Sequence, residues 1–317
     1  MRDASLPERH ETGALTVSVA IVSAPDRAAT AVPTLRRALE EAAACDADLL
    51  VLDDPFHHGA AGALWNLLDG AAGRVRVVPA RAPATGLERA LAEAHGEIVA
   101  VLGGDAVPRE GWLRALLAPF AAADVGCVGG PVVLRWDESP APGWLQPPLD
   151  TALGAYDLGD RPRRLRVRPG DVFPTATNVA VRVAAVRSLG DRWRPAAPGD
   201  ADDDLGAACD ASSWTIVYVP DAVVERTVPP DRVAPERMLR HHFERGRYAA
   251  ARDLAHRGLR PALGRLRWHH RANLAVRSYR PALPIDSARL LEECRRREAL
   301  GYVAGLAAGL LGRVRGR

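Results

Sequence analysis

Short apolar runs alternate with longer amphipathic ones along the first third of the chain. Residues 15–23 (LTVSVAIVS) alternate and then run apolar, are rich in Val and Ile, and stop at Ala24-Pro25-Asp26, which predicts a buried strand. The next segment, ATAVPTLRRALEEAAAC, places Leu35, Leu39 and Ala42 along one side of a helix. Residues 47–54 (ADLLVLDD) predict a second buried strand ending in two acids, AAGALWNLL a short helix, and residues 74–80 (RVRVVPA) a third strand. TGLERALAEAHG predicts a helix with Gly96 as its C-cap, EIVAVLGGD a fourth strand, and GWLRALLAPFAAA the helix after it.

Strand and helix thus alternate four times over short connections, which predicts a mostly parallel sheet with helices on both faces, an α/β fold. Ligands of such sheets bind at the carboxyl ends of the strands. Asp26, Asp53, Asp54 and Asp105 fall at these ends. A single acid there reads as a turn former or helix N-cap, but four at successive strand ends point to a ligand site. No GxGxxG follows the first strand, so the dinucleotide-binding fingerprint is absent.

The second half changes character. VGCVGGPVVLRW reads as a strand with a glycine pair, DESPAPGWLQPP as a Pro-rich loop and RRLRVRPGD as a basic exposed stretch. TNVAVRVAAVRSLG begins as a strand and becomes a helix; PGDADDDLGAAC is an acidic turn into a helix; WTIVYVPDAVVERTV is a strand pair broken by Pro220. From residue 235 onward the chain is Arg-rich and helical.

Composition narrows the class. With 48% hydrophobic and 26% charged residues the chain has the makings of a core, and a net charge of +3 is too weak to imply nucleic-acid binding. Every basic side chain apart from His is Arg, whose rigid fork suits phosphate and carboxylate. Cys45, Cys127, Cys209 and Cys294 form no CxxC pair, so neither zinc nor a disulfide framework is expected, and a reduced cytoplasmic protein is the default. The polar stretch MRDASLPERHETGA lacks the apolar core of a signal peptide. Residues 299–312 (ALGYVAGLAAGLLG) are too short for a membrane span and leave two readings: packing on the domain, the commoner fate of apolar helix faces, or peripheral contact with the inner membrane face.

Four stretches, in this order and spacing, resemble the family-2 glycosyltransferases of the GT-A fold, over about residues 15–250. They are VSVAIVS…LLVLDD, GLERALAEAHGEIVAVLGGDAVPREGWLRALL, TATNVAVRVAAVRSLG, and GDADDDLGAACDASSWTIVYVPDAVVERTVPPDR. The resemblance implies a GT-A-like domain at 15–250 between a polar tail at 1–14 and a helical extension at 251–317. It implies transfer of a sugar, with inversion, from a nucleotide-sugar donor such as a UDP-sugar to a polysaccharide, lipid-linked or secondary-metabolite hydroxyl. Under it Asp53 contacts the base or ribose, with Asp26 also on the donor side, and Asp105 contacts the sugar or diphosphate. Asp202 is the general base, and Asn178 and Trp144 lie on the acceptor side.

The departures fall on the metal site. The family's Asp-x-Asp turn appears as Gly103-Gly104-Asp105, its Glu-Asp base pair as Ala201-Asp202, and its late His as Arg226. Losing an acid weakens a divalent-ion site, while exchanging imidazole for guanidinium repels a cation and attracts phosphate. A manganese or magnesium cofactor is therefore disfavoured. Arg226, with Arg245 and Arg247 of FERGRYAA, is expected to stand in for the ion. The rival reading, a non-catalytic homologue that binds a nucleotide or a partner protein, stays open. Asp204, by contrast, reads as a helix-terminal acid.

His57 and His58 have no carboxylate or Cys at metal-ligand spacing and read as loop residues. His241, His242, His269 and His270 read as solvated positions on Arg-rich helices. Aromatics make up only 5% of the chain and no nucleic-acid-reading motif is present, so phosphate, acceptor or anionic membrane is a better partner for the basic ladder from residue 240 to 271 than nucleic acid.

Overall fold

A computed structural model describes residues 15–22, 28–53, 75–79, 86–136, 140–165, 174–190, 212–228, 230–254, 258–276 and 285–315. Its centre is an eight-stranded sheet in the order β3-β2-β1-β4-β9-β6-β10-β8. The strands are β1 (Val17–Val22), β2 (Asp48–Asp53), β3 (Val75–Pro79), β4 (Ile98–Gly103), β6 (Val125–Gly129), β8 (Arg163–Leu165), β9 (Asn178–Arg182) and β10 (Thr215–Tyr218). A smaller sheet, β5-β11-β7, holds β5 (Ala106–Pro108), β7 (Val132–Arg135) and β11 (Val224–Thr227).

The first four strands of the large sheet are parallel; β1 and β4, covered on both faces, carry the continuous apolar runs of such strands, while the edge strand β3 leaves Val77 exposed. Alternate residues divide between two cores. Val17, Val19, Ile21, Ile98, Ala100 and Leu102 enter one; Ala20, Val99 and Val101 enter the other. Helix α1 (Ala28–Ala44) covers the first face and α2 (Gly86–Glu93) the second. Helices α3 (Trp112–Leu117) and α4 (Val183–Leu189) follow the same division, and a 3-10 turn beginning at Ala118 closes α3 where Pro119 enters.

Two sequence expectations need correction. VGCVGGPVVLRW is not one strand but two, β6 and β7, in different sheets; the chain changes sheet at Gly130-Pro131, where a Cβ on Gly130 would overlap the Ala222 carbonyl. Gly96 is not the C-cap of α2, which ends at Glu93. Its N–H donates to Ser18 Oγ (2.8 Å), and a Cβ there would sit 2.5 Å from the Ser18 nitrogen, so close approach to β1 explains the glycine.

The C-terminal part is helical: α5 (Pro235–Arg252), α6 (Leu259–Val276) and α7 (Ile285–Arg315). Residue 250, the expected domain boundary, lies within α5, which packs lengthwise on α7. The two run in the same direction, since Phe243 meets Gly301, Arg247 meets Gly305 and Leu254 meets Gly309. Gly246 and Gly301 allow this approach, because a Cβ on either would overlap the backbone of the other helix. His242 is correspondingly not solvated: it is 7% exposed and its Nδ1 lies 3.2 Å from Glu298.

Candidate active site

β1 lies between β2 and β4, so the chain turns outward in opposite directions on its two sides, the switch point at which an open sheet leaves a crevice. The register brings the carboxyl ends together: Val22 pairs with both Leu52 and Gly103. The turn after β4 begins here. Gly104 N–H donates to the Val22 carbonyl (2.8 Å) and Gly103 N–H to the Thr177 carbonyl (3.1 Å). β9 runs antiparallel to β4 and starts at this edge, so the Thr175–Asn178 segment arrives beside the glycines.

Asp105 enters the small sheet, where Ala106 pairs with Arg226 of β11. Alternation along β11 sends Val224 and Arg226 to one face and Glu225 to the other. Val224 is fully buried, and Arg226 follows it inward to Asp105. Arg226 Nε donates to Asp105 Oδ2 at 3.0 Å, and its Nη1 donates to the Leu153 carbonyl at 3.0 Å. The carboxylate is 3% exposed and the guanidinium 19%.

The clamp on Arg226 is built from residues that carry no signal in the sequence. The 3-10 turn Leu149–Leu153 ends at Gly154, whose φ of +87° favours glycine and whose missing Cβ leaves room for Arg226 Nη1. Beyond it, Tyr156 exchanges backbone hydrogen bonds with Val132 (2.7 and 3.1 Å). Tyr218 stacks edge-to-face on Tyr156 at 5.7 Å and donates its hydroxyl to Asp157 Oδ1 at 2.8 Å. Burial, reinforced by that carboxylate, pushes the Tyr218 phenol up to about 12, so it stays a neutral donor and pins the loop.

The turn is held from the other side by Glu41 of α1, a buried acid the sequence reading passed over. It accepts from the N–H groups of Gly111 (2.9 Å) and Leu113 (3.0 Å), capping the start of α3. Its place on an amphipathic helix gives no hint of this partner 70 residues on.

Asn178 does not line an open acceptor surface. It is fully buried; its Oδ1 accepts from Trp112 Nε1 (2.8 Å) and its Nδ2 donates to the carbonyls of Pro131 (3.0 Å) and Ala222 (2.7 Å). One amide thereby ties β9, α3 and both sheets together. Arg245 and Arg247 do not join Arg226 either: both are exposed on α5, the first 3.7 Å from Glu298 and the second 3.0 Å from Glu244. Trp144 packs with the cluster of Leu145, Leu149, Val228 and Leu291 and borders an open groove of about 640 Å³ beside Leu290, Glu293 and Arg296 of α7. Asp53 ends β2 at the crevice, its side chain outside the described set, and Asp26, Asp202, Asp204, His57 and His58 lie outside the described residues.

Among the described residues no group of three His, Cys, Asp or Glu is placed to hold a metal ion, and no helix is long and apolar enough to cross a membrane.

The fold is shared with solved transferases. Mannosyltransferase PcManGT from Pyrobaculum calidifontis, solved in complex with GDP-Man and Mn2+, is 19% identical with a TM-score of 0.52, over 95% of this chain and 76% of that one. GalNAc-T7, solved with UDP, GalNAc and Mn2+, is 14% identical with a TM-score of 0.55, over 96% of this chain but only 58% of its own. At these identities the likeness is one of fold. No curated protein matches by sequence. The sequence model of the family described as Glycosyltransferase like family 2 matches residues 15–244, most of the chain. The protein therefore belongs to the family-2 glycosyltransferases, enzymes that take a sugar from a nucleotide-sugar donor.

Proposed function

We propose that the chain transfers a sugar with inversion, and that Arg226 takes the place of a divalent ion such as the Mn2+ with which both neighbours were solved. The observation that carries this is the 3.0 Å pair of Arg226 Nε with Asp105 Oδ2. The last acid of the Asp-x-Asp turn and the residue at the late-His position meet directly, with no room between them for an ion. The donor set does not suit a divalent cation. Gly103 offers no oxygen, Asp105 already accepts from a guanidinium, and that guanidinium would repel a cation. No step of the reaction is assigned to a metal.

In this reading Asp105 and the Leu153 carbonyl fix the plane of the guanidinium through Nε and Nη1. Nη2 is left to donate to a diphosphate oxygen and to stabilise the leaving group as the glycosidic bond breaks. Asp53 contacts the base or ribose from the end of β2, and Asp26 serves the donor as well. Asp202 takes the acceptor's proton as its hydroxyl attacks the anomeric carbon. Trp144, bordering its groove, offers an aromatic face to a sugar acceptor.

One observation favours a second reading. The Asp105–Arg226 pair is electrically neutral and nearly closed off, which also suits a homologue that binds a nucleotide or partner without turnover. Nucleotide release from a panel of sugar donors, with and without chelator, separates the two. Turnover that survives chelator and falls ~10²–10⁴-fold in Asp202→Asn, with donor affinity unchanged, supports the first. Donor binding with no release from any sugar supports the second.

A further inference from the structure

Helix α7 has two apolar faces, and only one of them is packed among the described residues. Tyr302 and Leu306 are buried against α5 and α6, with Gly301, Gly305 and Gly309 turned to α5. Roughly opposite, at helical spacing, Leu300 (56% exposed), Val303 (47%), Leu310 (37%) and Leu311 (61%) stand in solvent. Leu259 and Leu263 of α6, whose Ala262 packs on Tyr302, are also exposed at 41% and 44%. Six of the nine large exposed apolar side chains among the described residues therefore lie on these two helices, so this is a concentrated surface and not the usual scatter.

Charge follows the same division. Residues 251–317 contain fifteen Arg and five acids, a formal +10, in a chain whose total is +3, so residues 1–250 carry −7. No acid occurs after Glu298, while Arg313, Arg315 and Arg317 follow the apolar stripe. Leucine-rich stripes beside Arg and free of carboxylates suit a surface that is apolar within and anionic at its rim. A second copy of the chain is a poor occupant, because a two-fold contact through this face would set one +10 region against another. Nucleic acid would leave the leucines uncovered.

We infer that α6 and α7 form a docking face for an anionic lipid bilayer, with Leu300, Val303, Leu310 and Leu311 entering the headgroup boundary and the Arg residues meeting lipid phosphates. The catalytic crevice lies at the β-strand ends, so docking needs none of the residues assigned to transfer.

The test is co-sedimentation of the full chain with vesicles of phosphatidylcholine alone or with about one-third phosphatidylglycerol. The expected result is binding to the anionic vesicles only. Raising salt from 0.15 M to 1 M, which shortens screening from about 8 Å to about 3 Å, should weaken it. Replacing Leu300, Val303, Leu310 and Leu311 together by Ser should lower binding at least about tenfold with helical content and Tm retained. Arg313→Glu with Arg315→Glu, which keeps the leucine stripe, should do likewise. Equal binding to neutral vesicles, no binding to either kind, or full binding by both variants overturns the proposal. So does a lipid-free dimer that the Ser variant dissociates, which assigns the face to a second copy.

Discussion

Glu225 and Arg226 are neighbours on β11, and each forms ion pairs, yet the pairs do different work. Glu225 faces outward to Arg109 (2.8 Å) and Arg135 (3.1 Å), whose side chains are 55% and 61% exposed. Arg226 faces inward to a carboxylate that is 3% exposed. Water and salt screen the outer pairs, and such contacts contribute about 0–1 kcal/mol. The inner pair has lost that solvent, so each partner depends on the other, and removing one leaves a stranded charge. Glu225 and Arg226 are themselves alike in exposure (21% and 19%), so a one-residue step along the strand separates the two contacts through the exposure of their partners.

The sharpest way to break this contrast is Asp105→Ala. It strands the Arg226 guanidinium, so denaturant unfolding should show a loss of about 3–5 kcal/mol, and turnover should vanish. Gly154→Ala should come next. It forces a Cβ into the space of Arg226 Nη1 at a φ of +87°, so a loss of about 1–3 kcal/mol is expected, with weaker donor binding. Tyr218→Phe removes the hydroxyl that holds Asp157, and a loss of about 1 kcal/mol in the same unfolding assay, with a modest rise in the donor Kd, would mark the loop as the support of the clamp. The smallest effect belongs to Glu225→Gln, which should change stability by no more than about 1 kcal/mol and leave donor affinity alone. If Glu225→Gln proves as damaging as Asp105→Ala, burial is not what distinguishes the two faces of β11.

Much of the frame was legible in the sequence because period and punctuation encode it. The apolar runs at β1, β2 and β4 announce strands covered on both faces, and Gly103 and Arg226 stand out as departures from the family pattern. Less legible were contacts made by side chains whose type has a blander use. The resemblance puts Asn178 on the acceptor side, but its three hydrogen bonds join segments more than 40 residues apart, which no local pattern records. Gly154 carries no signal of its own in the sequence, and only the path of Arg226 explains it. Arg245 and Arg247 were grouped with Arg226 because Arg suits phosphate. Their place on α5 commits them instead to Glu298 and Glu244, and helix geometry decided that, not side-chain chemistry.

The central claim is that a guanidinium does the work of an ion. It is tested most directly by calorimetric titration of the parent protein with UDP and with GDP, in excess chelator and again in manganese. The account predicts that whichever nucleotide binds does so with the same Kd in both conditions, and that Arg226→His weakens binding by about tenfold or more through loss of a charge-assisted contact. Binding by the parent that tightens tenfold in manganese and disappears in chelator, with Arg226→His binding at least as well, would contradict it.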